Sequence, residues 1–290
     1  MQHEDREAPA GLEALTALFD AGPVAVLTGA GISTDSGIPD YRGTGGLWRG
    51  GAGGAPPRTP MRIEQFMSDE AYRRRFWAGA RVGALHARGI EPNAGHLALA
   101  RLEAAGRTTG VVTQNVDDLH RRAGSREVVE LHGNGGVIRC VRCDHRTTRE
   151  AVLERFDRLN PGFARQHAGA EIAPDGDARV DDTGLVRVPD CEECGGILRP
   201  DVVYFGELVP TGVFGAAERR LDGAAALLVA GTSLAVNTGV RLVHRAERLG
   251  LPLAVINRGP TAIDRRASIA TRIEGGTSEA LAGLAAALAV

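Results

Sequence analysis

The sequence predicts an α/β fold built around a parallel sheet, and three observations carry that prediction. Short, β-branched or aliphatic runs recur at residues 24–27, 109–113, 226–230 and 254–256. Each has the length of a buried strand and leads into a turn of small or amide residues. The 39 glycines and the 4% aromatic content suit many tight connections. The last third of the chain repeats strand then helix. At 290 residues and 43% hydrophobic content, the chain can bury one large domain or two unequal lobes.

The first helix is read from Leu12, Leu15, Leu18 and Phe19, and it stops at Ala21-Gly22-Pro23. The strand at 24–27 then runs into Gly29-Ala30-Gly31-Ile32-Ser33-Thr34-Asp35-Ser36-Gly37-Ile38-Pro39-Asp40-Tyr41-Arg42. Two glycines one residue apart let backbone approach a ligand closely. Ser33, Thr34 and Asp35 are N-cap candidates, so a helix should start here with its amides and positive dipole end facing a pyrophosphate. The spacing departs from the Rossmann fingerprint, since the next glycine is Gly37 and no acid marks a second strand end. An ordinary strand-to-helix turn is the plain alternative.

Residues 43–60 read as a Gly/Pro/Arg-rich surface segment, equally a linker or a loop that orders over a ligand. Residues 61–86 read as helix with an apolar face of Phe66, Met67, Tyr72, Phe76 and Trp77, and Arg73-Arg74-Arg75 reads as its solvated side. Pro92-Asn93-Ala94-Gly95-His96 opens another helix to about residue 105, with His96 in a core or cap role. The strand at 109–113 ends in Gln114-Asn115-Val116-Asp117, amides and a carboxylate at the edge where open α/β sheets bind ligands. Asp117 would serve equally as a helix cap. The strand at 128–131 delivers His132, whose ordinary pKa near ~6.5 suits a general base.

Cys140-x-x-Cys143 and Cys191-x-x-Cys194 are the four cysteines, with 47 residues between the pairs. In a chain expected to be cytosolic they read as a closed, structural zinc site with four thiolate ligands, and redox thiols are the rival. Residues 159–182 lack periodicity and read as an exposed excursion. Residues 202–205 read as a core strand. Gly231-Thr232-Ser233 can donate to phosphate and ribose oxygens, and Asn257-Arg258-Gly259 offers an amide to a ribose. The closing Ala-Leu run reads as a C-terminal helix.

Composition excludes some classes. A net charge of -2 gives no reason to expect nucleic-acid binding. No window approaches the ~20 apolar residues of a membrane helix. Residues 1–7 are polar and acid-containing, unlike a secretory signal, so a cytoplasmic protein is expected. All 34 basic residues are arginine. Codon bias explains this, yet a consequence remains: any lysine the protein acts on must come from another chain.

The string 29–42, together with Gln114-Asn115-Val116-Asp117, Leu131-His132-Gly133 and the cysteine pairs, resembles the sirtuins, NAD-dependent protein deacylases. The resemblance spans about residues 11–286 through seven ordered motifs. It implies a Rossmann-like parallel sheet flanked by helices, with a smaller zinc-binding and helical lobe. The single catalytic domain 1–290 would divide into a large lobe (1–43, 91–136 and 201–290) and a small lobe (44–90 and 137–200). NAD would contact Gly29, Ala30, Gly31, Ser33, Thr34, Pro39, Asp40, Tyr41 and Arg42, and later Gly231, Thr232, Ser233, Asn257, Arg258, Gly259 and Thr277. Gln114 and Asn115 would face the nicotinamide ribose, with Asp117 and Ile38 lining the nicotinamide pocket. Val203 would pair with a substrate peptide, Phe205 would line the lysine tunnel, and Gly206 and Glu207 would lie beside them. An added strand recognised through its main chain tolerates varied sequence.

In that scheme an acyl oxygen attacks ribose C1′ as nicotinamide leaves, Asn115 positions the ribose, and His132 takes a proton from a ribose hydroxyl. The products are nicotinamide, free lysine and O-acyl-ADP-ribose, and the zinc takes no part. Tyr41, where many members carry Phe, and the 47-residue cysteine gap resemble the class II branch. The Tyr-x-x-Arg of dicarboxylic-acyl enzymes aligns with Ala80 and Gly83, which disfavours those acyl groups. Acetyl or longer acyl chains, protein substrates in trans and a monomer are expected. The rivals are a protein mono-ADP-ribosyltransferase using the same NAD site and a nonenzymatic NAD-sensing zinc-ribbon protein. The second has no need of His132 or Asn115.

Overall fold

The computed structural model describes residues 11–40, 61–86, 89–172 and 177–290. Two sheets organise it. The larger contains β1 (Val24–Thr28), β2 (Thr108–Thr113), β3 (Val128–Glu130), β7 (Ala226–Ala230), β8 (Leu253–Asn257) and β9 (Ile269–Glu274). Every pairing in it is parallel. The spatial order β3-β2-β1-β7-β8-β9 is the doubly wound 3-2-1-4-5-6 arrangement, which reverses between β1 and β7. A crevice therefore opens past the C-terminal ends of those two strands.

Alternation along the strands divides the core between two faces. Val24, Val26, Ala226 and Leu228 pack with Leu15 and Phe19 of α1 (Leu12–Asp20), with α4 (Ala94–Ala104) and with α10 (Thr277–Ala287). Ala25, Leu27, Leu227 and Val229 meet α8 (Thr211–Arg219) and α9 (Asn237–Arg248) on the other face. Burial on both faces accounts for the uninterrupted apolar runs of β1, β7 and β8.

The second sheet has the order β5-β4-β6, from β4 (Gly133–Cys140), β5 (Arg146–Thr148) and β6 (Leu198–Val202). Its pairings are antiparallel. With α3 (Glu70–His86) and α6 (Arg149–Leu159) it encloses a separate core of Trp77, Ile138, Val152, Phe156 and Leu198.

Four sequence expectations change. Past Gly29 the chain makes two short 3₁₀ turns, Ala30–Ile32 and Thr34–Ser36, in place of an α-helix. Gly37 closes the second with φ 89°, and Ser33 spends its hydroxyl on a distant carboxylate instead of a cap. The helix at 61–86 is two helices, α2 (Ile63–Ser68) and α3, separated by extended Asp69, whose carboxylate accepts from Ala71 N at 2.8 Å. The strand placed at 202–205 lies earlier, as β6, because Leu198 and Arg199 are the buried members and Phe205 is 45% exposed. The supposed exposed excursion at 159–182 includes α7 (Phe163–Gln166), where Ala164 is buried, and it packs Ala178 and Val180 into the second core. There Ala178 N donates to Gly79 O at 2.9 Å. The 43–60 segment lies outside the described residues. Among the described residues no helix is long and apolar enough to cross a membrane.

Candidate active site

A cleft of about 2150 Å³ occupies the switch point and continues toward the second sheet. Its floor is the contact between the turns after β1 and β7. Gly31 N donates to Gly231 O at 2.8 Å. A Cβ on Gly31 would sit 2.8 Å from that oxygen, and one on Gly29 would sit 2.6 Å from Thr232 Cβ. Gly231 itself has φ 64°. The glycines therefore let two backbone turns touch where a bulky ligand must lie close to main chain.

Around this floor the amide cluster is interlocked. Asn115 Nδ2 donates to Gly29 O and Ser33 Oγ, both at 3.1 Å. Ser33, fully buried, donates through Oγ to Asp117 Oδ2 at 2.7 Å. The other Asp117 oxygen accepts at 3.0 Å from the backbone N of Leu119, the first residue of α5 (Leu119–Arg122). Asp117 also lines the cleft. Gln114 Nε2 donates to Thr232 Oγ1 at 2.9 Å, and its main chain is bound to Thr28 O.

His132 emerges half-buried just past the end of β3. Its Nδ1 lies 2.9 Å from Gln114 O and its Nε2 lies 3.0 Å from Thr238 Oγ1. Burial lowers the imidazole pKa below its ordinary value, and the bond to Gln114 O offsets part of that. The shift favours the neutral form of the ring.

A polar layer beneath the turns holds them in place. Asn93 caps α4 through Gly95 N and also donates to Ile32 O at 2.8 Å and Ser36 Oγ at 3.0 Å. His96 Nδ1 accepts from Asn93 N, and His120 Nε2 pairs with Thr28 Oγ1 at 2.9 Å. The two buried imidazole rings lie edge to face, 4.9 Å apart.

The opposite wall of the cleft is the turn after β6. Val203 N donates to His132 O at 2.8 Å, and Ile63 N donates to Phe205 O at 3.1 Å. Gly206 and Glu207 complete the wall. Glu207, however, turns both carboxylate oxygens to the buried Arg199, at 2.6 Å each, while one also accepts from Tyr204 N at 2.9 Å. Burial alone would raise its pKa, but these bonds outweigh it and hold the carboxyl below its usual range. Glu207 is thus committed to shaping the turn. Phe205, exposed by 45%, remains a lining group.

Most of the sequence-derived cofactor residues reach this cleft, including Ala30, Ile38, Pro39, Asp40, Ser233, Asn257 and Arg258. Thr34, Gly259 and Thr277 do not line it. Thr34 Oγ1 and Thr277 Oγ1 both donate to Gly31 O, at 3.0 and 3.3 Å, so they brace the glycine turn. Asn257 Nδ2 donates to Arg258 O and Gly259 O and forms the next turn. Tyr41 and Arg42 lie outside the described residues. Tyr72, Arg75 and Gly83 of α3 line the cleft, whereas Ala80 belongs to the second core. Sequence reading missed Arg199 and Thr238. The burial of Arg199 against Glu207 is set by tertiary packing, and nothing local marks Thr238.

The cysteines converge as expected. Cys140 and Cys194 sulfurs lie 3.5 Å apart, Cys143 and Cys191 3.7 Å, and Cys143 and Cys194 3.4 Å. All four lie within 4.8 Å of one another. A tetrahedron with Zn–S near 2.3 Å has edges of about 3.8 Å, so the thiol set fits a zinc ion with every coordination position filled by protein. The cluster closes the end of β4, away from the glycine turns.

A doubly wound sheet with touching glycine turns at its switch point is the architecture in which α/β proteins bind dinucleotides. The Sir2 family model matches residues 29–238. NAD-dependent protein deacetylase 1 of Mycobacterium avium is 49% identical, with 93% of each chain covered. NAD-dependent protein deacetylase 1 of Corynebacterium efficiens is 46% identical over 93% of this chain and 95% of its own. Among solved structures, "Sir2-p53 peptide-NAD+" superposes with a TM-score of 0.69 at 29% identity, covering 93% of this chain and 95% of the other. The chain belongs to the Sir2 family.

Proposed function

We infer that this chain is an NAD-dependent protein lysine deacetylase that releases nicotinamide and transfers the acyl group to ADP-ribose. The observation that carries the reading is His132, which lines the cleft together with Asn115, Asp117 and the Val203–Phe205 wall, its Nδ1 fixed on Gln114 O and its Nε2 on the Thr238 hydroxyl. Bound NAD supplies the ribosyl–nicotinamide bond and the ribose hydroxyls. Ser33, Asn115 and Asp117 form one hydrogen-bonded unit that seats the nicotinamide and its ribose. Ile38 supplies an apolar wall there. Val203 aligns the peptide main chain, Phe205 encloses the acyl-lysine, and His132 Nε2 removes the ribose hydroxyl proton.

The substrates we assign are acyl-lysines of other proteins, since this chain has no lysine. We divide the chain into the two lobes given above, with β4 and β6 crossing between them. The bacterial relatives support action in the cytoplasm.

The test is nicotinamide release from NAD with a panel of acyl-lysine peptides. Acyl-dependent release with deacylated peptide as product is expected. His132→Ala should lose roughly 10²–10⁴-fold in deacylation, the range of a general base, and Asn115→Ala should also be impaired. ADP-ribose attached to protein without deacylated peptide would replace this reading with a transferase.

A further inference from the structure

The two partners of His132 differ in what they permit. Gln114 O, 2.9 Å from Nδ1, can only accept, so Nδ1 carries the proton of the neutral ring. Nε2 therefore presents its lone pair, and the Thr238 hydroxyl at 3.0 Å donates to it. The proton must arrive at this same nitrogen, from a hydroxyl of similar size.

Thr238 is closely constrained. It lies in the first turn of α9, where its neighbour Gly239 has no room for a side chain. A Cβ there would lie 2.7 Å from Leu234 Cδ2 and 3.3 Å from Gln114 Oε1. Gln114 is in turn tied to Thr232 Oγ1, which also accepts from Leu234 N at 3.1 Å. Carbonyl, imidazole and hydroxyl are thus joined in a circuit that returns through Gln114. A hydroxyl also serves both charge states, donating to the neutral ring and accepting from Nε2–H once the ring is protonated. Valine, nearly the same shape, can do neither.

We propose that Thr238 is the positioning residue of His132, aiming Nε2 at the ribose hydroxyl and then stabilising the imidazolium by reversing its hydrogen bond. In the step, the ribose O–H bond breaks as the Nε2–H bond forms. The electron pair left on that oxygen makes the new bond to the acyl carbon, whose π pair to the lysine nitrogen moves onto that nitrogen. The ribose hydroxyl takes the place of the Thr238 O–H at the single Nε2 lone pair, and Thr238, turned from donor to acceptor, then accepts from Nε2–H without gaining or losing a proton. The proposal rests on the reading of His132 as the base.

The test compares full-length wild type, Thr238→Val and Thr238→Ser, each matched for zinc content and thermal midpoint. The first readout is ¹⁵N-histidine NMR without NAD, with His132→Asn to assign the signals. Valine should move Nε2 to the shift of an unbonded lone pair and mix the two tautomers, and serine should restore the wild-type pattern. The second readout uses NAD and an acetyl-lysine peptide. Valine should lower kcat for deacetylation by roughly 10–100-fold, the value of a hydrogen bond to a charged group. It should also shift the pH profile while leaving KM for NAD and nicotinamide exchange within about twofold, again with rescue by serine.

An Nε2 signal that does not respond to valine overturns the proposal whether or not any peptide is deacetylated. A changed signal with unchanged kcat and pH profile overturns the positioning role. A changed signal in a protein whose wild type never deacetylates sinks the deacetylase reading and leaves only the hydrogen bond.

Discussion

The two sheets of this molecule sit side by side but are stabilised differently. In the large sheet, β1, β7 and β8 are buried along their whole length, and helices cover both faces. In the small sheet, β5 has no buried residue and β4 alternates, with a few large side chains on one face. The deficit is met by polar means. Arg81 grips both oxygens of Asp157 at 2.8 and 2.9 Å, Arg149 meets Asp177 at 2.9 Å, and four thiols surround the zinc position. The glycine turns of the cleft grow from the sheet held by apolar burial, whereas the turn at 203–207 leaves the sheet that relies on ion pairs and the four-thiol cluster.

Metal loss should give the widest separation between the regions. Zinc binding in zinc-finger peptides is worth about 10–16 kcal/mol, so Cys143→Ser or chelation should unfold the small sheet and abolish deacylation. Hydrogen exchange would then show lost protection in β4–β6 and retained protection in β1, β7 and β8. A single transition that takes both sheets together would break the comparison.

Next in size is the buried ion pair under the turn at 203–207. Arg199→Met strands Glu207 and should cost about 3–5 kcal/mol, read as a raised KM for peptide with NAD affinity unchanged. Replacing both members, as in Arg199→Met with Glu207→Leu, should cost less than the single change. Equal losses in peptide and NAD binding would mean that the turn is not an independent unit.

The smallest expected effect belongs to the large region and depends on pH. Burial drives His96 down to about 4, with Asp117 offsetting part, and drives His120 down to about 3, with His96 adding to the shift. Both bind protons more weakly folded than unfolded, so their neutral burial is harmless above the unfolded value near 6.5. Stability is then lost as pH falls from there through about 4 and 3. At its steepest the loss approaches ~2.7 kcal/mol per pH unit for two protons. Urea midpoints at pH 7 and 5 for wild type and His120→Gln isolate this from metal release. A slope unchanged by the substitution would place the acid sensitivity elsewhere.

By itself, the sequence determined what local chemistry dictates. Apolar runs flanked by turn residues located five strands of the large sheet but not β9, the paired Cys-x-x-Cys motifs located the four converging thiols, and Asn93 and His96 announced the start of α4. Glycine spacing marked a close backbone approach, because an absent side chain is legible without knowing what comes near. Only the tertiary structure decided what comes near. Residues 29–31 met the turn at 231–233, which forced 3₁₀ turns where capping residues promised a helix. Glu207 passed from the substrate to Arg199, because a buried guanidinium requires a carboxylate. Thr238 met His132 across 106 positions of chain, a contact made by parallel crossovers that no local pattern records.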